Sequence, residues 1–172
     1  MKPLLITLFF IGLTTFTLSC KQTSSTTLDY SKLQFDINRI AIFKWDTTKY
    51  VFPTNSDPLP LTQQDLFVID SLLKDGIDSF NHRISPGLFQ AFDGKVPLAT
   101  FIIKQEKYRY QYFPFKDVNG QRIVTVIGFS TDFHPWKTEI YRSGQHYGMR
   151  KLELRVNLLE NSRDNIRSGD FG

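Results

Sequence analysis

The clearest pattern of apolar and polar positions in the chain lies between residues 62 and 83. Apolar side chains recur there every three or four residues, which places them on one face of an α-helix. These positions are Leu66, Ile69, Leu73, Ile77 and Phe80. Thr62 and Asp65 precede the stripe with the spacing of a capping box, in which each side chain accepts the backbone N–H of the other. The pattern predicts an amphipathic helix after Thr62 that packs on a sheet.

Charged residues mark the other side of this predicted helix. Asp70, Lys74 and Asp78 follow one another at intervals of four residues, and opposite charges at that spacing form ion pairs on helix surfaces. We therefore interpret these three residues as a solvated face and not as a pair of catalytic carboxylates.

Strand patterns occur on both sides of the helix. They cover residues 39–45, 99–103, 107–113 and 150–159. In 107–113 the tyrosines at 108, 110 and 112 alternate with polar residues, so the tyrosines share one face. Apolar and polar residues also alternate in 150–159, which predicts a last strand with one buried and one wet face.

Asn119-Gly120 is the strongest short hairpin signal in the chain, because both central residues of a type I′ turn need positive φ. A two-residue loop would pair Asp117 with Arg122 and Tyr112 with Ile127. The same register would bring Phe115 opposite Val124 and Tyr110 opposite Phe129, and these charge and aromatic pairings favour it.

Together these elements predict one α+β domain over residues 36–172. One amphipathic helix would pack on a curled antiparallel sheet of four to five strands. The arrangement resembles the cystatin-like fold, and Pro135-Trp136 precedes the last strand, where inhibitory cystatins carry a Pro-Trp pair. Their Q-x-V-x-G hairpin motif is replaced by Gln121-Arg122-Ile123-Val124-Thr125. The resemblance therefore implies the cystatin shape and not protease inhibition.

The first 20 residues have the layout of an export signal. Lys2 is followed by 18 uncharged residues, most of them apolar, and a small-residue step precedes Cys20. Thr17-Leu18-Ser19-Cys20 resembles the lipobox of bacterial lipoproteins, although the usual leucine three places before the cysteine is Thr17 here. The resemblance implies a signal peptide over residues 1–19 and a lipid on Cys20.

Two other interpretations of this leader stay open. The uncharged run is long enough for a retained membrane span of roughly 17–25 residues, and Thr17 and Ser19 would also suit an ordinary signal peptidase. Cys20 is the only cysteine in the chain, and a lone thiol is unusual in an exported protein. Lipidation accounts for that thiol, so we favour the lipoprotein interpretation.

Residues 20–35 are then the lipidated cysteine and a Ser/Thr-rich tether without apolar periodicity. The 14 residues from Lys21 to Gln34 would reach up to about 45 Å from the lipid. No acidic run follows Cys20 to direct the protein to the cell surface. We expect a lipid-anchored protein of the bacterial cell envelope, in the outer membrane and facing the periplasm.

Charge and side-chain chemistry limit the partners. Loss of residues 1–19 removes Lys2 and leaves 20 basic and 17 acidic residues, a net charge of +3. This is too mild to indicate nucleic acid, and we expect none as a partner. We expect the membrane, through the N-terminal lipid, and an unknown protein or envelope component.

The connection over residues 130–148 is richer in functional side chains than packing requires. It carries Phe133, His134, Trp136, Tyr141, His146 and Tyr147. Because aromatic residues on loops often anchor interfaces, we predict a binding loop here. No short metal-ligand spacing and no catalytic motif occurs in the chain, so we predict a non-enzymatic binding or scaffolding protein with no metal and no cofactor.

Two alternatives to this function stay open. One is a small periplasmic hydrolase that uses His134 or His146 with Asp132. The other is an inhibitor or immunity-type protein, which would need a cognate toxin or protease.

Overall fold

The computed structural model of the protein describes residues 36–49, 51–130, 135–141 and 150–168. The predicted leader, Cys20 and the tether lie outside the described residues. Within them the chain forms two helices, α1 (Gln63–Arg83) and α2 (Ser85–Ala91), and seven strands. The strands are β1 (Ile40–Ile42), β2 (Asp57–Pro58), β3 (Arg109–Lys116), β4 (Arg122–Phe129), β5 (Lys151–Asn157), β6 (Ser162–Arg163) and β7 (Arg167–Ser168).

Helix α1 begins where the capping box predicts. The hydroxyl of Thr62 accepts the backbone N–H of Asp65 at 3.2 Å, and the carboxylate of Asp65 accepts the backbone N–H of Thr62 at 2.7 Å. All five residues of the apolar stripe are buried against one face of the sheet. The α+β class, with a helix packed on a sheet, is confirmed.

The predicted solvated face of this helix is correct in part. Lys74 and Asp78 form an exposed ion pair at 2.7 Å, but Asp70 is only 4% exposed, so its assignment to the solvated face was wrong. Asp70 lies four residues after Leu66 and three before Leu73, and both spacings place it on the apolar face. Burial, with the charge of Asp70 contributing, raises the pKa of Tyr110 and Tyr112.

The sheet is mixed and follows the order β1-β3-β4-β5-β6, with β2 also on β3 and β7 also on β5. Strands β3, β4 and β5 are antiparallel neighbours, as predicted. Strand β1 instead runs parallel to β3. A parallel neighbour requires a crossover connection, and α1 lies in the chain between β1 and β3.

The β3–β4 hairpin pairs one residue away from the predicted register, which is therefore wrong. Lys116 lies opposite Arg122, and Tyr112 lies opposite Val126. The loop has three residues, because the N–H of Asp117 donates to the carbonyl of Gln121 at 3.0 Å and Gly120 alone in the loop has positive φ, at 75°. This is a type I turn followed by a glycine bulge.

The side chain of Asp117 explains the choice of turn. Its carboxylate accepts the backbone N–H groups of Asn119 and Gln121, each at 2.9 Å, as aspartate does at the first position of type I turns. Since a slip of one residue exchanges the faces of a strand, Val124 and Val126 contact the helix-facing core, while Ile123 and Ile127 belong to the second face.

The predicted strand over residues 99–103 is also wrong. Residues Leu98–Thr100 form a 3-10 turn, and the chain to Lys104 is irregular. Phe101 and Ile103 are buried nonetheless. The side chain of Asn81 takes the place of a strand partner, since it accepts the N–H of Ile103 at 2.8 Å and donates to its carbonyl at 2.9 Å.

The second face of the sheet is covered as well. Residues 43–49, 51–52 and 135–141 contribute to a core on the side away from α1. Its buried residues are Ala41, Phe52, Phe113, Phe115, Ile123, Ile127, Phe129, Trp136 and Tyr141. Strands β3 and β4 are therefore buried on both faces, whereas β5 alternates as predicted between buried and more exposed residues.

Candidate functional site

The structure describes two of the six residues predicted to form a binding loop, Trp136 and Tyr141. They are 8% and 6% exposed, so both rings belong to the core of the second face. Tyr141 stacks on Phe129 at a ring-centroid distance of 4.4 Å, and Trp136 meets Phe129 edge-on at 6.3 Å. These two aromatic residues hold the segment on the sheet.

The remaining residues of that prediction lie outside the described residues. They are Phe133, His134, His146 and Tyr147, together with Asp132 of the hydrolase hypothesis. The binding loop and the histidine chemistry therefore stay predictions.

One buried side chain on β3 fixes the described part of this segment. The Nε2 of Gln111 donates to the carbonyls of Trp136 and Glu139, each at 2.6 Å, and its Oε1 accepts the N–H of Tyr141 at 2.7 Å. The alternation of residues 107–113 predicts Gln111 on a polar strand face, and its burial shows that this prediction is wrong. The signal in the sequence is that Gln111 shares its strand face with Phe113 and Phe115.

An open apolar groove of about 360 Å³ lies at the edge of the sheet. It is lined by residues 42–45, which begin at the last residue of β1, by residues 58–61 and by Pro114 of β3. From the sequence, Pro53, Pro58 and Pro60 predict only a loop in this part of the chain. The missed signal is the apolar residue Leu59 between Pro58 and Pro60, with Trp45 upstream.

Pro114 explains why the sheet edge opens here. The outer edge of β3 pairs with β1 at residues 110–112 and with β2 at residues 115–116. The carbonyl of Tyr112 accepts the N–H of Phe43 at 2.9 Å, so Tyr112 directs its backbone groups to this edge. Pro114 lies two residues later in β3, so its backbone groups point to the same edge. Since proline has no N–H, the ladder with β1 cannot continue past it.

The aromatic side of the groove is held by contacts outside the groove. The indole N–H of Trp45 donates to the hydroxyl of Ser56 at 3.1 Å, and that hydroxyl donates to the carbonyl of Pro53 at 2.6 Å. Phe43 stacks on Phe113 of the core at 4.9 Å. Both rings are therefore positioned before any ligand arrives, which lowers the ordering cost of binding.

The groove presents apolar surface and one positive charge. Ile42 is 38% exposed, and Lys44 is the charged residue among those that line the groove. Lys44 is exposed and forms no ion pair with any residue in the described part of the chain. A ligand with an apolar portion and an anionic group would complement this surface.

No family model, curated protein or solved structure matches this chain. Among residues 36–49, 51–130, 135–141 and 150–168, no group of three or more His, Cys, Asp or Glu side chains is placed to hold a metal ion. No helix in those ranges is long and apolar enough to cross a membrane.

Proposed function

We propose that this protein is a lipid-anchored, non-enzymatic binding module of the bacterial cell envelope, and that the groove is its contact surface. The lipid anchor is inferred from Thr17-Leu18-Ser19-Cys20 and from the absence of any other cysteine in the chain. The observation that carries the binding function is a rigid aromatic surface, Phe43 and Trp45, beside the open groove.

The energetics support a binding role for this surface. Burial of apolar surface by a ligand would contribute roughly 25 cal/mol per Å². Small clefts lined by fixed aromatic residues are typical binding sites. Trp136 and Tyr141 are buried, whereas Ile42 and Lys44 are open to solvent. The groove is thus a better contact surface than the described part of the 130–148 connection.

The anchor and the groove can be tested separately in cells. Incorporation of a clickable fatty acid into the wild type, and its loss in Cys20→Ala, is the expected result for the anchor. For the groove, a photo-crosslinking amino acid is placed at Pro60, which is exposed and lines the groove. The matched control position is Val118, which is 73% exposed on the hairpin loop.

We expect adducts from position 60 and not from position 118 after irradiation of intact cell envelopes. Equal labelling of the two positions, or no adduct of any kind from position 60, would remove the groove from the proposal. Absence of fatty-acid label on the wild type would remove the anchor.

A further inference from the structure

The groove lies close to the point where the predicted tether joins the folded domain. Asp36, the first described residue, precedes Ile42, the first residue that lines the groove, by six positions. Only a 3-10 turn at Ile37–Arg39 and strand β1 lie between them. Six residues span at most about 20 Å. A membrane anchor at Cys20 would therefore be tied to the neighbourhood of the groove and not to a remote part of the domain.

The side chains that line the groove suit the boundary between lipid headgroups and acyl chains. Aromatic residues concentrate at that boundary, Trp above all, and lysine extends its apolar stem along apolar surface while its ammonium reaches a phosphate. Ile42, Phe43 and Trp45 supply the apolar contact, and Lys44 lies among them. The indole N–H of Trp45 is already bonded to Ser56, so the ring can enter an apolar layer without losing a hydrogen bond to water.

We infer that the groove and its rim bind the surface of the bilayer that holds the lipid anchor. Ile42, Phe43 and Trp45 contact the upper acyl region, and Lys44 contacts anionic phosphate. The domain then lies against the membrane instead of extending from it on its tether. This inference names the ligand of the groove, and it rests on the proposed lipid anchor.

The reach of the tether favours the bilayer over a free protein partner. An unstructured tether of 14 residues would have a root-mean-square length of about 20 Å, and a short linker of this kind gives effective concentrations in the millimolar range. A surface with a dissociation constant of about 1 mM for the membrane would thus be occupied much of the time. A partner protein at micromolar concentration would need affinity about a thousandfold higher to displace it.

The test uses the position of Trp45 in the bilayer. The chain has two tryptophans, so Trp136→Phe leaves Trp45 as the only indole while the second core keeps an aromatic ring. The full-length lipidated protein is reconstituted in vesicles of phosphatidylethanolamine and phosphatidylglycerol at roughly three parts to one. Lipids that carry bromine on the acyl carbons nearest the headgroup should lower Trp45 emission by at least about twofold.

Two variants and one control separate surface contact from the lipid anchor. Ile42→Asp and Lys44→Glu should each lose most of the bromine quenching, because one places a charge in the acyl region and the other repels phosphatidylglycerol. Val118→Asp changes an even more exposed residue, on the hairpin loop, and should quench like the parent protein. Far-ultraviolet circular dichroism confirms that each variant is folded.

Two results would overturn the inference while the proposed function stands. One is unchanged Trp45 emission in brominated lipid although the protein still floats with the vesicles. The other is protection of Trp45 from aqueous acrylamide only after envelope proteins are added, which would make the groove a protein site. Failure of the wild type to float with the vesicles would contradict the anchor, and both proposals would fall.

Discussion

The carboxylate of Asp65 accepts a hydrogen bond from the guanidinium of Arg122 at a distance of 2.7 Å. The contact joins the first turn of α1 to the first residue of β4, 57 positions later in the chain. The same carboxylate oxygen accepts the backbone N–H of Thr62. One side chain therefore caps the helix and attaches it to the sheet.

Replacement of Asp65 should weaken the fold substantially. Asp65→Ala removes a helix cap worth about 1 kcal/mol and a charge-assisted hydrogen bond worth about 1.5–3 kcal/mol. We expect the free energy of unfolding, measured with urea, to fall by about 2–4 kcal/mol. Asp78→Ala breaks only an exposed ion pair with Lys74 and should cost about 0.5 kcal/mol. Equal losses in the two variants would contradict this assignment.

The same carboxylate predicts a pH dependence of stability. Burial acts to raise the pKa of Asp65, but hydrogen bonds from Thr62 and Arg122 outweigh it and hold the pKa below its ordinary value. A folded-state pKa below the unfolded one means that the contribution is complete above about pH 4 to 5 and is lost as the pH falls through the folded value. Lowering the pH from 6 to 3 should therefore reduce the free energy of unfolding more in the wild type than in Asp65→Asn. Urea unfolding at a series of pH values measures this. Parallel curves for the two proteins would refute the prediction.

Gln111 should be essential for the packing of segment 135–141. Gln111→Leu leaves two carbonyls and one N–H of that segment without their partner, and each unsatisfied buried group costs about 1–3 kcal/mol. We expect a loss of about 3 kcal/mol or more in unfolding free energy, with a change in the emission of the adjacent Trp136. The control is Gln90→Leu at an exposed position of α2, which should leave both quantities nearly unchanged.

Gly128 is expected to tolerate no side chain. A Cβ at this position of β4 would lie 2.7 Å from Cγ of Leu152 and 3.0 Å from Cε1 of Tyr110. Gly128→Ala should therefore cost about 1–3 kcal/mol through overpacking. Gly87→Ala in α2 meets nothing within 4 Å and should be neutral or stabilising, by up to about 1 kcal/mol. Thermal unfolding of the two alanine variants would distinguish them, and similar midpoints would show that the side chains of Leu152 and Tyr110 move aside at little cost.

The aromatic residues of the two candidate sites should respond differently to truncation. Trp136→Ala and Tyr141→Ala each empty part of the second core and should cost about 3–5 kcal/mol, so loss of function in these variants would not identify a binding loop. Trp45 is partly exposed, and Trp45→Ala should cost less. Chemical denaturation measures the free energy of unfolding of the three variants and ranks them. A Trp136→Ala protein as stable as the wild type would show that its ring contributes little to the core.

The sequence predicts well those features that depend on neighbouring residues. The cap between Thr62 and Asp65 and the stripe from Leu66 to Phe80 form within a few turns of one helix, so local spacing was enough to identify them. The alternation of β5 was equally local, because one face of that strand stays more exposed than the other.

Features that depend on distant contacts could not be predicted in the same way. The hairpin register depends on the side chain of Asp117, whose hydrogen bonds stabilise a three-residue loop. Near Ile103, where the sequence predicts a strand, the backbone instead forms hydrogen bonds with the side chain of Asn81. Asp70 is buried because the buried face of α1 is wide enough to include it. The groove arises from Pro114 and two segments distant in sequence, so no single stretch of the chain marks it.

The missing N–H of Pro114 also bears on self-association. A sheet edge that offers a regular row of N–H and carbonyl groups can pair with the edge of another copy and begin a β-aggregate. On this edge β1 has three residues, β2 has two, and the proline lies between their pairings. Such an interrupted edge provides no continuous template for a second chain. The residue that opens the groove thereby helps to keep neighbouring copies apart.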